Sequence, residues 1–237
     1  FTPDVEARLL ESRRIILAGC GTSLFAAMAG KMMLESVAGV ACEAEQAAEF
    51  YYRNPVLGFA DTVIGISQSG ETADTLKALE LAKERHALCL GITNRVGSVL
   101  SRKVRAGIYL HAGPEVAVAS TKAFTAQVAA LAMLSLRIAE LRGQPVPPLL
   151  VSQMLSLPAL VAETLKREEE IKALARTYAG AKRMIIIGRG YGVPLALEAA
   201  LKIREVSYLD AHGLSAAELK HGTLALVEPG VPVVAIL

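Results

Sequence analysis

The chain has 237 residues, of which 53% are hydrophobic, and a formal net charge of +2 at pH 7. This length and hydrophobic content exclude a disordered protein and are enough for one large core or two smaller ones. Lys and Arg are scattered and aromatic residues make up 5% of the chain, so the sequence has neither the basic stripe nor the stacking platform typical of proteins that bind nucleic acid. No nucleic-acid partner is expected.

The cysteines and the most apolar segments bear on location. Cys20, Cys42 and Cys89 lie far apart and form no Cys-x-x-Cys pair. We therefore expect neither a disulfide framework nor a metal site, and a reducing cytoplasm is the predicted location. The segments 128–136 and 147–161 are short or interrupted by Ser, Gln and Pro, below the roughly 20 residues of a membrane-spanning helix. Neither a membrane span nor a signal peptide is expected.

The N-terminal part of the chain alternates short apolar runs with helical patterns. Strands are predicted at 14–18, 61–66, 87–92 and 106–110, and helices at 24–37, 72–85 and 120–142. Ser120 is the predicted N-cap of the third helix, and Gly143 ends it. This alternation predicts an α/β fold, a three-layer α/β/α sandwich whose parallel, doubly wound sheet is covered on both faces.

The residues 144–148 (Gln-Pro-Val-Pro-Pro) predict a domain boundary. A helical pattern follows to about Tyr178, with Pro158 at a position suited to a first helical turn, and then a strand, a glycine turn and another helix. We therefore divide the chain into a first domain (1–147), a helical connector (148–180) and the start of a second domain (181–237).

The second domain repeats the first at a shift of 169 residues. The matching pairs are Gly19 with Gly188, Gly21 with Gly190, the Ala-Ala-Glu triplets at 47–49 and 216–218, and, one residue out, the segments 61–66 and 231–235. Several matches at one shift predict two homologous α/β units in tandem, the second of them incomplete. We expect the natural polypeptide to be longer than this chain.

Polar loops at 19–23 and 67–75 follow the first two predicted strands. The carboxyl ends of parallel strands meet at one edge of a sheet, where ligand crevices lie. The second loop offers hydroxyl and amide donors beside Gly70 at the start of a helix, which is typical of an anion site. Because neither loop contains Lys or Arg, a monophosphate that is bound and released in each turnover fits better than a nucleotide.

Two alternatives apply to these loops. The hydroxyls could serve only as helix caps and turn formers, with Glu71 and Asp74 satisfying the helix N-terminus. Gly19 and Gly21 also begin a G-x-G pattern, but the third glycine of a dinucleotide fingerprint would fall at Leu24. No nicotinamide, flavin or other cofactor is therefore expected.

A polar stripe lies on the helix predicted after Arg189, where Glu198, Lys202 and Glu205 are spaced i, i+4 and i+7. Spacing alone favours a solvated ion-pair face. The functional alternative is a carboxylate and an amine presented together for proton transfer beside a carbonyl. For His221, position alone leaves a structural and a catalytic role open.

Five motifs together resemble the isomerase half of the glucosamine-6-phosphate synthases, a family also called glutamine:fructose-6-phosphate aminotransferases (isomerizing). They are the residues 20–23 (Cys-Gly-Thr-Ser), 67–75 (Ser-Gln-Ser-Gly-Glu-Thr-Ala-Asp-Thr), 119–125 (Ala-Ser-Thr-Lys-Ala-Phe-Thr), 201–208 (Leu-Lys-Ile-Arg-Glu-Val-Ser-Tyr) and 217–222 (Ala-Glu-Leu-Lys-His-Gly). The resemblance runs from about Arg14 to the last residue. It implies tandem sugar-isomerase (SIS) domains, in agreement with the repeat.

The resemblance also implies roles for individual residues. Those that match the family's phosphate-binding residues are Ser23, Ser67, Gln68, Ser69 and Thr72, and those that match its sugar contacts are Thr22, the backbone at Val118, and Ser120. Glu205 matches the general base that moves a proton between C1 and C2 of the sugar, and Lys202 matches its proton-transfer partner. His221 matches a ring-opening histidine that reaches into the neighbouring subunit's site, which implies a homodimer.

The implied reaction converts fructose 6-phosphate and glutamine-derived ammonia to glucosamine 6-phosphate by ketose–aldose isomerisation. The family's N-terminal glutaminase domain and its C-terminal tail, which carries the imine-forming lysine, find no match in these residues, so we do not expect this chain alone to make amino sugar. Two alternatives remain. One is a free-standing deaminase or isomerase of amino-sugar phosphates; the other is a sugar-phosphate sensor without catalysis, which would not need Glu205 and Lys202.

Overall fold

The computed structural model describes residues 1–237 and divides the chain into two units. In the first unit, Phe1–Pro145, short runs of Ile, Val, Leu and Gly form a fully parallel sheet. The strands are β1 (Arg14–Gly19), β2 (Ala41–Gln46), β3 (Asp61–Ser67), β4 (Leu88–Thr93) and β5 (Ala106–Tyr109). Their order in the sheet is 2-1-3-4-5. β1, β3 and β4 are almost entirely buried, as parallel strands covered on both faces are. The predicted α/β class is confirmed.

Six helices accompany this sheet. They are α1 (Pro3–Glu11), α2 (Thr22–Ala38), α3 (Ala47–Tyr52), α4 (Ala73–Glu84), α5 (Val99–Lys103) and α6 (Lys122–Leu141). The N-cap of α6 is Thr121, so the predicted start of this helix at Ser120 is wrong. The last turn ends close to the predicted stop, where Gly143 adopts a φ of +68°.

The helices α2 and α6 pack closely against one another. A Cβ added at Gly30 on α2 would lie 2.8 Å from Leu131 Cδ1 and 3.1 Å from Leu131 Cβ, on α6. Both residues are buried. The two helices therefore approach at a distance that glycine permits and a larger residue does not.

The second unit, Val146–Leu237, contains three further helices and a smaller parallel sheet. The helices are α7 (Pro148–Leu165), α8 (Glu168–Thr177) and α9 (Gly192–Ser207), and the strands β6 (Arg183–Gly188), β7 (Asp210–Ser215) and β8 (Val233–Ile236) lie in the order 7-6-8. α7 continues through Pro158, so the prediction of that proline in a first turn is wrong. The first turn holds Pro148 instead, where a missing N–H costs nothing.

The second sheet has the register of strands β1 to β3. The paired residues are Arg14 with Ala41 and Arg183 with Asp210, and, with the third strand one residue out, Ile16 with Val63 and Ile185 with Val233. The glycine turns also correspond, because Gly21 and Gly190 have φ angles of +53° and +55°. A common register at one shift is what two copies of one α/β unit would produce.

Two helices are long and apolar enough to cross a membrane, α6 with 20 residues and α7 with 18. The expectation that every apolar segment is too short is therefore wrong. Length and composition alone are weak evidence for a span, because core helices of soluble proteins have both. α6 is such a core helix, because its Leu131 packs closely against Gly30 of α2.

We expect Gly30→Val to lower the free energy of unfolding by about 2 kcal/mol, because the added methyl groups displace Leu131 and separate α2 from α6. Urea unfolding measures the loss. Gly58→Val is the matched control, since nothing lies within 4 Å of a Cβ at Gly58. Equal losses in the two variants would contradict the close approach of the helices.

Candidate functional site

The strand order of the first sheet reverses between β1 and β3. β1 ends at Gly19 and β3 at Ser67, and the two strands are paired neighbours. Both polar loops therefore leave the same edge of the sheet side by side. Open α/β sheets bind ligands in the crevice at such a reversal.

The loop after β3 is organised around the hydroxyl of Ser67. Ser67 Oγ accepts a hydrogen bond from the Gly70 backbone N–H at 2.9 Å and lies 2.8 Å from Thr72 Oγ1. Ser69 Oγ is 3.5 Å from the same oxygen. Ser67 is buried, whereas Gln68, Ser69 and Thr72 are half-buried. Three hydroxyls thus gather at the start of α4.

Gly70 sets the shape of this loop. Its φ is +66°, and a Cβ added there would lie 2.2 Å from Ser98 Oγ. Its carbonyl accepts the N–H of Leu100 at 2.9 Å. Glu71 Oε1 accepts the N–H of Val99 at 3.0 Å, so Glu71 caps α5. The alternative in which Glu71 satisfies the N-terminus of α4 is therefore wrong. The loop is thereby attached to the start of α5.

The loop after β1 places Ser23 in the first turn of α2. Ser23 is 7% exposed, and its Oγ accepts a hydrogen bond from Gln127 Nε2 on α6 at 3.0 Å. Thr22, the first residue of α2, is half-buried. The sequence prediction missed Gln127, because no local spacing links it to a residue 104 positions away.

Cys20 also lies in this loop, but its thiol is not activated. Burial, together with the nearby Asp74 carboxylate, raises the pKa of Cys20. Burial likewise raises the pKa of Cys42 to about 12 and that of Cys89 to about 11. All three thiols are free, and all three stay protonated at neutral pH, so none is a candidate nucleophile.

The segment before α6 carries the predicted sugar contacts. Val118 is 94% exposed and Ser120 is half-buried. Ser120 does not cap the helix, because the Glu115 carboxylate accepts the N–H groups of Thr121 at 2.8 Å and Ala123 at 3.1 Å. Burial disfavours the charge on Glu115, but these hydrogen bonds outweigh it and lower its pKa.

In the second unit, the polar stripe on α9 is largely sheltered from water. Lys202 Nζ lies 2.7 Å from Glu205 Oε2 and 3.5 Å from Glu198 Oε1. The side chains of Glu198, Lys202 and Glu205 are 8%, 19% and 29% exposed. These exposures exclude the fully solvated face that spacing alone favours. A carboxylate beside an ammonium group in this setting suits proton transfer.

His221 lies in an exposed turn of the second unit, where its backbone N–H donates to the Glu218 carbonyl at 3.0 Å. Together with Arg189 and Lys220 it lines an open cavity of about 530 Å³. Lys202 and Glu205 are not among the residues that line this cavity. His221 therefore belongs to a basic surface cavity and not to the ion pair on α9.

The comparisons identify the family. A protein-family model described as SIS domain matches residues 8–137 and 177–237, and the chain belongs to the SIS-domain family. It is 47% identical, over 98% of its length, to the glutamine–fructose-6-phosphate aminotransferases (isomerizing) of Bacteroides thetaiotaomicron and Chlorobaculum tepidum, of which it spans 38%. It matches the solved C-terminal domain of glucosamine-fructose-6-phosphate aminotransferase from Francisella tularensis with a TM-score of 0.94 and 37% identity, over 100% of this chain and 68% of that one. The resemblance to this isomerase domain is confirmed.

We expect Gly70→Ala to destabilise the protein by about 3 kcal/mol. Alanine is strained at a φ of +66°, and its Cβ overlaps Ser98. Gly97→Ala is the matched control, because Gly97 has a φ of +72° but nothing within 4 Å of an added Cβ. It should cost about 1 kcal/mol. Urea unfolding measures both losses, and equal losses in the two variants would rule out the overlap.

Glu115→Gln should lower stability by about 1 kcal/mol at pH 7, because the charged cap of α6 is lost. The pKa of Glu115 in the folded chain lies below the usual 4.5. The stabilisation is therefore complete above about pH 4.5 and declines as the pH falls through the lowered pKa. Unfolding curves between pH 3 and 7 should show the difference from the unsubstituted protein shrinking with acidity. Glu228→Gln, at an exposed site, should show no such difference at any pH.

Proposed function

We propose that this chain is the isomerase domain of an enzyme that converts fructose 6-phosphate and ammonia to glucosamine 6-phosphate. The observation that carries the proposal is the cluster of Ser67, Ser69 and Thr72 hydroxyls where the strand order reverses. The names of the relatives support it. Because the chain spans 38% of those relatives, we assign ammonia production from glutamine to a glutaminase domain of the full-length protein.

The first unit binds the phosphate in this proposal. Ser23, Ser67, Gln68, Ser69 and Thr72 supply neutral donors, and the N-terminus of α4 adds a favourable dipole. A hydrogen bond to a charged group contributes about 1.5–3 kcal/mol, and millimolar affinity requires about 4 kcal/mol. These donors therefore hold a sugar phosphate without a cation, at an affinity that allows release in each turnover.

The second unit supplies the acid–base chemistry. Glu205 takes a proton from C1 of the open-chain sugar and delivers it to C2, which converts the ketose derivative to the aldose. Lys202, 2.7 Å from that carboxylate, is its proton-transfer partner. Thr22, the backbone at Val118, and Ser120 contact the sugar. Glu205 and Lys202 carry out the proton transfer by themselves, and we propose neither a metal nor a cofactor.

We further propose that the protein is a cytoplasmic homodimer. In this arrangement His221 opens the sugar ring in the site of a second copy. Its exposed position in a turn supports a role outside its own subunit.

Two substitutions in the full-length protein test the assignment. Glu205→Gln should lower the isomerisation rate about 10³-fold while the affinity for fructose 6-phosphate stays within about twofold, because the phosphate donors are intact. Ser69→Ala should weaken that affinity about tenfold with little change in kcat, since it removes one donor to a charged group. Ser36→Ala, which removes an exposed hydroxyl on α2 that donates to the Met32 carbonyl, is the control and should change neither.

The reverse pattern in the two variants would refute these roles. If the unsubstituted full-length protein bound fructose 6-phosphate without turning it over, the chain would be a sugar-phosphate sensor. If it acted on amino-sugar phosphates without any glutaminase segment, it would be a free-standing deaminase or isomerase.

A further inference from the structure

We propose that Gln127 on α6 is a positioning residue that directs the hydroxyl hydrogen of Ser23 toward the bound phosphate. The inference depends on the proposed role of Ser23 in phosphate binding. Gln127 is 0% exposed, and its Nε2 lies 3.0 Å from Ser23 Oγ. This side-chain hydrogen bond connects α2 with α6 inside the first unit.

The direction of this hydrogen bond determines what Ser23 can offer a ligand. A serine hydroxyl has one hydrogen and two acceptor lone pairs. Because the Gln127 amide NH₂ donates to Ser23 Oγ, one lone pair is occupied and the hydroxyl hydrogen is left for another acceptor. A phosphate monoester only accepts at its charged oxygens, so Ser23 serves it only as a donor. An acceptor in place of the amide NH₂ would draw the hydrogen away from the ligand.

Stability does not account for an amide at this position. Gln127 Oε1 is buried and has no hydrogen-bond partner, an arrangement that destabilises a folded protein. The neighbouring buried positions on α6 are mostly small or apolar, such as Ala123, Ala130 and Leu131. An apolar side chain of similar length would avoid the buried oxygen. The amide is therefore explained by its donor, which faces Ser23.

The test compares Gln127→Met with the unsubstituted full-length protein. Methionine has a similar length but neither donor nor acceptor at that point. We expect the dissociation constants of fructose 6-phosphate and of inorganic phosphate to rise about tenfold, KM to rise similarly and kcat to stay within about twofold. The thermal midpoint should be unchanged or higher, because the buried oxygen is gone. Ser135→Ala, which removes a buried hydroxyl from α6, is the control and should leave phosphate affinity unchanged.

A second variant, Gln127→Glu, keeps the shape and replaces the NH₂ donor by oxygen. Its phosphate affinity should fall progressively as the pH rises and the new carboxyl group ionises, since a carboxylate accepts the Ser23 hydrogen and repels the anion. A structural role for Gln127 alone predicts no such dependence. Unchanged phosphate affinity in Gln127→Met, or a loss in proportion to a lower thermal midpoint with no pH dependence in Gln127→Glu, would overturn the proposal.

Ser23→Ala separates this inference from the proposed function. If Ser23→Ala weakens phosphate binding and Gln127→Met then has no further effect in that background, Gln127 acts through Ser23, as proposed. If Ser23→Ala weakens binding but Gln127→Met does not, only the positioning role fails. If Ser23→Ala leaves binding unchanged, Ser23 is not a phosphate ligand, and both proposals fail at this residue.

Discussion

The close approach of the Gly70 backbone to Ser98 is the constraint on which the hydroxyl cluster after β3 depends. No residue with a Cβ fits there without displacement. The approach allows the Gly70 carbonyl and the Glu71 carboxylate to accept the N–H groups at the start of α5. The Ser67 hydroxyl is then held between the Gly70 N–H and Thr72. Two hydrogen bonds thereby attach this loop of polar residues to the start of α5.

The cluster has no cationic side chain, so in the proposed function the orientation of neutral groups replaces charge as the source of phosphate affinity. Hydroxyl groups donate in a direction that their other hydrogen bonds determine. Ser67 accepts from a backbone N–H and Ser23 accepts from the Gln127 amide. For Ser23 the accepted bond leaves the hydroxyl hydrogen available to a further acceptor. We propose that such a site binds a phosphate moderately and releases it readily, which suits a substrate that is turned over rather than a cofactor that is retained.

The two units contain different chemistry on the same strand and helix arrangement. The hydroxyl cluster lies after β3 in the first unit, whereas the Lys202 and Glu205 pair lies on α9, the helix after β6. α9 occupies the place in the second unit that α2 occupies in the first, and the registers of the flanking strands agree. One unit therefore carries a cluster of hydroxyls and the other a sheltered carboxylate and amine.

The sequence by itself determined the α/β class, strands β1, β3 and β4, and the two polar loops, because continuous apolar runs and turn residues are local signals. It missed β2, whose two glutamates suit an edge strand that pairs with β1 alone. Only the tertiary structure decided that Glu115 caps α6, that Glu71 caps α5, and that Gln127 reaches Ser23. These hydrogen bonds join groups 6, 28 and 104 positions apart in the chain, beyond the spacing of three or four residues that a helical pattern relates.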